Sequence, residues 1–161
     1  EVEPQLQIGD IAHGGIVFQI NEDGTGLVAA MEDLGLFQWG CDGTEIDGAD
    51  GTAIGTGYQN TLDIVAGCSD TPIAASLALA YESEEGYSDW YLPSRFELVE
   101  MYNTIGNGGP EGNIVGFENH YYWSSSEYTL NVYAWYFSFL NGATQGKPKN
   151  GMYGVRVIRA F

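Results

Sequence analysis

The residues with the clearest chemical potential lie in the stretch YYWSSSEY, from Tyr121 to Tyr128. Ser124, Ser125 and Ser126 place three hydroxyls in a row, and His120 precedes the first of them by four residues. A serine nucleophile needs a base within hydrogen-bonding reach and an oxyanion hole. No GxSxG turn surrounds these serines, so a hydrolase built on Ser124 or Ser126 is the less favoured interpretation. In the favoured one, the small hydroxyls serve close sheet packing and hydrogen bonds to adjacent loops.

The acidic loop DGTEIDGADGTA is the candidate metal site. Its carboxylates belong to Asp42, Glu45, Asp47 and Asp50. Calcium binds about six to eight oxygens, and the spacing here differs from that of an EF-hand loop. One interpretation is calcium held by Asp42, Asp47 and Asp50 together with backbone carbonyls. The favoured interpretation is a set of Asx-turns, in which each aspartate caps its own backbone. Calcium is the one cofactor that the sequence suggests.

Two cysteines, Cys41 and Cys68, favour an exported protein with one disulfide, because the chain is acidic and poor in lysine. The alternative is a pair of separate buried thiols. Neither cysteine has a CxxC spacing or a neighbouring histidine, which argues against metal or thiol chemistry.

The charge balance excludes several classes of partner. The 161 residues include 22 acidic and 5 basic side chains, giving a net charge of -17. So few cations cannot neutralise a nucleic-acid backbone, and the acidic excess disfavours anionic membrane surfaces. No apolar run is long enough for membrane insertion, and EVEPQLQIGD has no signal-peptide pattern. The length predicts one domain, residues 8–161, after a linker end at residues 1–7.

Local patterns predict an α+β fold, with helices packed on one side of a mostly antiparallel sheet and long ordered loops. Two apolar runs joined by a Gly/Asp turn predict a β-hairpin over residues 14–31, and the Gly-rich residues 40–57 predict an ordered loop. Capping and stop residues predict three helices, starting at Asn60, Pro72 and Ser94. Aromatic and β-branched runs predict three late strands, at residues 121–128, 133–140 and 153–161.

The strand YAWYFSFL is the candidate binding strand. Alternation places Trp135, Phe137 and Phe139 on one face, which we expect to be buried. The opposite face carries Tyr136, Ser138 and Leu140, and its mixture of aromatic and small polar groups is typical of paratope-like surfaces. The alternative is ordinary surface with a few aromatics. With the flanking loops, the candidate ligand-binding residues are Tyr128, Leu130, Asn131, Val132, Tyr133, Tyr136, Ser138, Leu140, Asn141 and Lys147.

The basic residues and two acidic ones have expected structural roles. With so large an acid excess, we expect Arg95, Arg156 and Arg159 each to pair with a carboxylate. Hydrogen-bonding roles are expected for Asp89 and Glu127. Lys147 and Lys149 flank Pro148 in a segment predicted to be an exposed loop, where either could meet an anionic group of a ligand.

An ordered set of motifs carries a family resemblance. GYSDWYLPSRFELVEMY, YYWSSSEY, AWYFSF and VRVIRAF follow one another, after GGIVFQI, DGTGLVAAMED, FQWGC and GADGTAIGTGYQNT. Together, over roughly Ile8 to Phe161, they resemble the bacterial domain family typified by the C-terminal domain of the Legionella collagen-like adhesin. Each motif alone is short, whereas the ordered set is specific.

The resemblance implies a C-type lectin-like fold, related to the formylglycine-generating enzyme fold and to variable proteins of diversity-generating retroelements. It also implies a binding module attached to surface or phage-borne proteins, with ligand recognition on the last third of the chain. The formylglycine-generating relatives work through cysteine, and Cys41 and Cys68 both lie upstream of that region. This departure argues against any enzyme activity.

Three functions follow as expectations. The favoured one is a non-enzymatic, extracellular or cell-surface module that recognises a protein or glycan, within a larger surface or phage protein. The second is a calcium-dependent carbohydrate-binding or adhesin module, and the third is a serine hydrolase. Fold resemblance alone does not name a ligand.

Overall fold

The computed structural model describes residues 4–118, 121–128 and 131–161. Within these residues the chain forms three helices, α1 Gly57–Gly67, α2 Ala74–Ala80 and α3 Arg95–Thr104. The strands of the described residues are β1 Ile11–Ala12, β2 Gly15–Ile20, β3 Gly26–Ala29, β4 Leu36–Phe37, β5 Tyr121–Glu127, β6 Tyr133–Ser138, β7 Thr144–Pro148, β8 Tyr153–Gly154 and β9 Ile158–Ala160.

The strands form two sheets. The first sheet has the order β1-β2-β3-β9, and the second has the order β4-β8-β5-β6-β7. Neighbouring strands run antiparallel except β5 and β8, which are parallel. The predicted α+β class is confirmed, and so is the early hairpin, which is formed by β2 and β3. The strands nevertheless divide between two sheets where the sequence suggested one.

The end of the chain explains this division. The predicted single strand over residues 153–161 is interrupted, so that β8 joins the second sheet and β9 pairs with β3 in the first. Between them, the Val155 carbonyl accepts from Leu34 N and the Val157 carbonyl accepts from Ala30 N. These bonds divert the backbone away from a continuous ladder. A second correction concerns residues 144–148, predicted as a loop, which form β7 beside β6.

The helix starts follow local chemistry in one case and long-range contacts in the others. At α3, Ser94 Oγ accepts from Glu97 N and the Glu97 carboxylate accepts from Ser94 N, which confirms the predicted capping box. Helix α1 begins before Asn60, because the Asn60 side chain bonds Gly51 instead of capping. Helix α2 begins at Ala74, after an extended Ile73, and not at the predicted Pro72.

Two clusters of buried side chains form the interior. The larger one includes three fully buried tryptophans, Trp39, Trp90 and Trp123. Each indole N–H donates to a backbone carbonyl, at 2.8 to 2.9 Å, so no tryptophan nitrogen is buried without a partner. The second cluster lies between α3, the first sheet and the β5–β6 pair, and includes Phe137. Leu6, from the predicted linker, packs against the larger cluster.

Two of the three arginines pair with a carboxylate, as predicted. Arg156 pairs with Asp33 at 2.5 Å and Arg159 pairs with Asp89 at 2.6 Å, as expected. Arg95 departs from the expectation, because its guanidinium lies 3.8 Å from the ring centre of Trp135 and forms no ion pair with a carboxylate of the described residues.

The predicted disulfide is confirmed. Cys41 and Cys68 are bonded, with their Cα atoms 5.8 Å apart and a sequence separation of 27. The bond ties the start of the Gly-rich loop to the end of α1, while Asp70 accepts a hydrogen bond from Cys41 N at 2.8 Å. No helix in the described ranges is both long and apolar enough to cross a bilayer.

Replacing both Cys41 and Cys68 by alanine will lower the free energy of unfolding by about 3 to 4 kcal/mol, because an unlinked unfolded chain gains the entropy that the closed loop removes. Denaturant unfolding of the double variant and of the oxidised wild type measures the difference. Wild type under reducing conditions is the matched control. An unchanged unfolding midpoint in both cases would show that the disulfide does not stabilise the fold.

Candidate functional site

The serines of β5 are buried, and their hydroxyls bond protein groups. Ser124 Oγ donates to the carbonyl of Trp135 at 2.7 Å, and Ser126 Oγ donates to the carbonyl of Gly51 at 2.6 Å. Ser125 Oγ accepts from a side-chain amide at 3.3 Å. The prediction that these hydroxyls serve sheet packing and loop attachment is confirmed. The hydroxyls join β5 to β6 and to the Gly-rich loop.

An irregularity in β5 makes this attachment possible. The register with β6 shifts between Trp123 and Glu127, so the serine backbone leaves the ladder. Ser125 N is then free to donate to the carbonyl of Pro93 at 2.7 Å, just before α3. The bulged segment therefore joins the strand to the start of the helix.

A buried ion pair organises the loops beside β5. Lys149 Nζ lies 2.5 Å from Glu127 Oε2, and both side chains are almost fully buried. The same ammonium donates to the Thr44 carbonyl at 2.6 Å and lies 4.7 Å from the ring centre of Trp39. Glu127 Oε2 also accepts from Ile46 N at 2.9 Å. The expected hydrogen-bonding role of Glu127 is confirmed, and the predicted exposure of Lys149 is wrong because these groups enclose it.

The main chain of the same two residues extends the junction. Lys149 N donates to the Val132 carbonyl at 2.9 Å, and the Lys149 carbonyl accepts from Trp39 N at 3.0 Å. Glu127 N donates to the Ala49 carbonyl at 2.7 Å. We call Glu127 and Lys149, with these bonds, the ionic junction. It holds the Gly-rich loop, the end of β5 and the chain after β7 in one arrangement.

The candidate calcium ligands are not gathered. Asp42, Asp47 and Asp50 are all exposed. Among the described residues, the one group of three potential ligand atoms within 4.8 Å is Cys41, Cys68 and Asp70. Its two sulfurs form the disulfide, so it offers no metal site. Calcium binding by these aspartates stays a prediction, and their carboxylates do not form a cluster in this structure.

The two faces of β6 differ in part from the prediction. Phe137 and Phe139 are buried, as expected. Tyr136 and Ser138, predicted to face a ligand, are only 7% and 2% exposed, so that part of the prediction is wrong. Leu140 is exposed, as predicted.

Neighbouring rings explain the burial of Tyr136. Its ring stacks on Tyr121 with centroids 5.2 Å apart and meets Tyr153 edge-on at 5.0 Å. Lys147 Nζ lies 5.3 Å from the same ring centre. Burial raises the pKa of the Tyr136 phenol. We call Tyr121, Tyr136 and Tyr153 the tyrosine cluster, and it continues the larger core to the surface.

The predicted ligand residues that the structure describes do not form one surface. Tyr133 begins β6 and Leu140 lies two residues beyond its end, and the strand alone spans roughly 17 Å at a rise of ~3.3 Å per residue. Lys147 is opposite Ala134, on the side of the tyrosine cluster. Asn141 follows Leu140 and is exposed. Two of the predicted functional residues, Leu130 and the candidate base His120, lie outside the described residues.

Three aromatic side chains at the other end of β6 do come together. Tyr128 meets Trp135 edge-on with centroids 4.3 Å apart, and meets Tyr133 at 6.5 Å. Arg95 covers one side of the Trp135 ring. Gly146 lies opposite Trp135 in β7, and a Cβ there would approach the Tyr128 ring to 2.5 Å. We call Tyr128, Tyr133 and Trp135 the aromatic corner.

The aromatic corner is open to solvent on one side. Tyr128 is exposed, and Tyr133 and Trp135 are half-buried. Within the part of the chain that the structure describes, the Trp135 indole N–H meets no hydrogen-bond acceptor, unlike the three core tryptophans. The corner therefore offers ring surface and one unused donor, which suits recognition of an external group.

Main-chain bonds hold the segment beside the aromatic corner. Tyr128 N donates to the Tyr133 carbonyl at 3.0 Å. Asn131 exchanges two bonds with Gly43, because its carbonyl accepts from Gly43 N at 3.1 Å and its side chain donates to the Gly43 carbonyl at 2.9 Å. The Gly-rich loop thus supports the segment that carries these aromatic groups.

Sequence reasoning missed Trp135 and Arg95 as surface residues. Alternation with Phe137 and Phe139 places Trp135 on the buried face. The residue opposite it, Gly146, leaves room for the Tyr128 ring, but the sequence predicts a loop at residues 144–148 and gives no sign of this pairing. Arg95 gave no signal either, because its partner is 40 residues away in sequence.

Residues 37–159 match the Lcl C-terminal domain family, and the chain belongs to that family. No curated protein matches the chain. The family indicates an adhesin-like module that binds something external. Together with the disulfide, it indicates a surface or extracellular location.

Lys149→Met will lower the free energy of unfolding by about 3 to 5 kcal/mol, because it leaves the Glu127 carboxylate buried without its cation. Adding Glu127→Gln to Lys149→Met will cost less than the sum of the two single changes. Denaturant unfolding of the four proteins measures this coupling.

The matched control is Lys147→Met, two residues away, which will change stability by less than about 1 kcal/mol. Equal losses for the Lys147 and Lys149 variants would contradict the assigned role of the ionic junction.

Proposed function

We propose that this chain is a non-enzymatic binding module that recognises a protein or glycan through the aromatic corner. The module is displayed on a cell or phage surface as part of a larger protein. The proposal keeps the predicted Tyr128, Asn131, Val132 and Tyr133, adds Trp135, and leaves out the buried Tyr136 and Ser138. Membership of an adhesin-like family and the disulfide support it.

The proposal rests on the position of the three rings of the aromatic corner, which lie at the surface. Most other aromatic side chains pack in or against the two buried clusters. Tyrosine and tryptophan supply large contact areas at a low cost in conformational entropy. They are also the residues that most often dominate binding energies at interfaces. The unused Trp135 donor can orient a partner group.

Rigidity supports the same assignment. The Arg95 guanidinium and the Tyr128 ring restrict Trp135 from two sides. The ionic junction holds the chain on both sides of β6, through Glu127 before it and Lys149 after it. A surface ordered before binding loses little freedom when a partner arrives, which favours affinity.

The family resemblance adds a finer proposal, that the positions around Tyr128, Asn131 and Tyr133 are diversified by a retroelement. Neighbouring DNA tests it directly. A near-identical template repeat beside a reverse transcriptase gene supports diversification, and the absence of both removes it. The binding proposal stands in either case.

Binding will not depend on calcium, because the exposed Asp42, Asp47 and Asp50 form no common carboxylate cluster. Thermal unfolding and ligand capture, each measured with excess calcium and with excess chelator, test this. Equal midpoints and equal capture are expected. A lower midpoint together with lost glycan capture in chelator would instead establish the calcium-dependent carbohydrate-binding alternative.

Glycan and protein arrays probed with the wild-type chain will identify ligands whose signal falls about tenfold in Trp135→Ala and Tyr128→Ala, the effect of losing one strong contact residue. Tyr121→Ala is the matched control, since Tyr121 flanks the same strand and is 41% exposed against 38% for Tyr128. Unfolding midpoints establish that all variants are folded. Ligands lost equally in the Tyr121 variant, or unaffected by either corner variant, would contradict the proposal.

A further inference from the structure

A second concave surface lies away from the aromatic corner, at the end of the first sheet. It is a cavity of about 750 Å³ between the ends of β2, β3 and β9 on one side and the turn at Ile54 and Gly55 with the start of α1 on the other. This volume is within the ~300 to 1,000 Å³ range of small-molecule sites. None of the motifs used in the binding proposal lines it.

Aromatic and apolar side chains form most of the cavity wall. Tyr58 and Tyr91 meet edge-on with ring centroids 5.6 Å apart, and Leu27 lies beside them. Opposite, the Phe161 ring lies close to the Gly26 backbone and stacks on His13 at 4.1 Å. The exposed ring of Tyr58 and the partly exposed ring of Phe161 are flat surfaces suited to the apolar face of a ring-shaped ligand.

Hydrogen bonds to the start of α3 fix the turn that forms one wall of the cavity. Gly55 N donates to Glu97 Oε2 at 3.1 Å, and the Ser94 hydroxyl donates to the Ala53 carbonyl at 2.9 Å. Glu97 is fully buried, and desolvation raises the pKa of its carboxyl group. The turn that carries Ile54 is therefore anchored to the start of α3, and the cavity is preformed.

One polar group in the wall has no protein partner. Tyr91 is 5% exposed, and its hydroxyl makes no hydrogen bond to any residue in the described ranges. Burial raises the pKa of this phenol, so it stays a neutral donor at physiological pH. Because Tyr91 lines the cavity, its hydroxyl can bond a ligand oxygen there.

The rim is polar, and the one charged residue that lines it, Asp89, is compensated. The Gln19 amide donates to Asn21 Oδ1 at 3.2 Å, and the Asn21 amide donates to Thr25 Oγ1 at 2.9 Å, which leaves further amide donors and acceptors unused. Asp89 receives both of its bonds from Arg159, which lowers the pKa of Asp89 and compensates its charge. Its carboxylate oxygens keep capacity to accept from a hydroxyl.

We propose that this cavity binds an uncharged sugar ring, with Tyr58 and Phe161 against the ring face and Tyr91, Asp89 and Gln19 bonded to ring hydroxyls. A sugar hydroxyl both donates and accepts, which matches a rim of amides, a phenol and a compensated carboxylate. Acidic and sulfated sugars fit poorly, because no lysine or arginine lines the cavity and the chain carries a net charge of -17.

The test is a titration of the whole chain with neutral methyl glycosides of glucose, galactose, mannose and N-acetylglucosamine, followed by amide chemical shifts. At least one will bind saturably with a Kd of about 1 to 10 mM, as expected for a single small ring. The largest shifts will be at the amides of Gly26 and Gly55. Tyr58→Ala will weaken binding by about tenfold or more.

Tyr91→Phe removes one oxygen and keeps the ring, so it will weaken binding by about threefold to tenfold with an unchanged unfolding midpoint. Met152→Ala, at an exposed position outside both the cavity and the aromatic corner, will leave the affinity unchanged. Glucuronic acid and glucosamine are charged comparisons and will bind more weakly than the best neutral sugar.

The following three results would each overturn the inference, and a fourth would reassign the sugar. They are an absence of saturable binding by every neutral glycoside, a charged sugar binding at least as tightly as the best neutral one, and wild-type affinity in both Tyr58→Ala and Tyr91→Phe. Loss of sugar binding in Tyr128→Ala alone would also overturn it and would assign the sugar to the aromatic corner instead.

Discussion

The buried pair of Lys149 and Glu127 is the constraint on which the arrangement of the second sheet depends. Placing two charges in the interior is costly unless each finds its counterpart and the remaining polar atoms find partners. Here the ammonium has a carboxylate, a carbonyl and an aromatic face, and the carboxylate has an ammonium and an amide. Any displacement of the Gly-rich loop or of the chain after β7 would leave one of these groups unpaired.

The three serines of β5 hold the same loop through hydrogen bonds of their hydroxyl and main-chain groups. A bulge releases the β5 backbone from its ladder, and the freed groups attach to the loop at Gly51 and to the chain before α3. Long glycine-rich connections rarely keep a single path by themselves. This one does, because the strand beside it supplies donors and acceptors, while the disulfide fixes its start.

Local signals in the sequence were sufficient for some elements. The capping box of α3 involves residues three apart, and the β2–β3 hairpin needs only a turn between two apolar runs, so both could be predicted. The start of α1 could not, because Asn60 has its partner nine residues away at Gly51. Helix α2 begins after an extended Ile73, and its first residue, Ala74, donates its N–H to the Gln38 carbonyl, 36 residues away.

The candidate site shows the same limit. Alternation along β6 correctly separated Phe137 from Tyr136, but periodicity cannot say whether the second face is covered. Tyr121 and Tyr153, from two other strands, cover it. Lys149 was misplaced because its partners lie 22 and 105 residues away. Pairings of that kind depend on the tertiary fold, and a single sequence carries no local trace of them.

The bonds made by Tyr128, Asn131, Val132 and Tyr133 to one another and to neighbouring loops are mostly between main-chain atoms. Almost any residue type can make such bonds, so the backbone at these four positions depends weakly on which side chains they carry. Substitutions there change the chemistry offered to the outside without disturbing the buried charges beneath. The fold therefore tolerates side-chain variation at these four positions that it does not tolerate at Glu127 and Lys149, so the chemistry of this exposed edge is uncoupled from foldability.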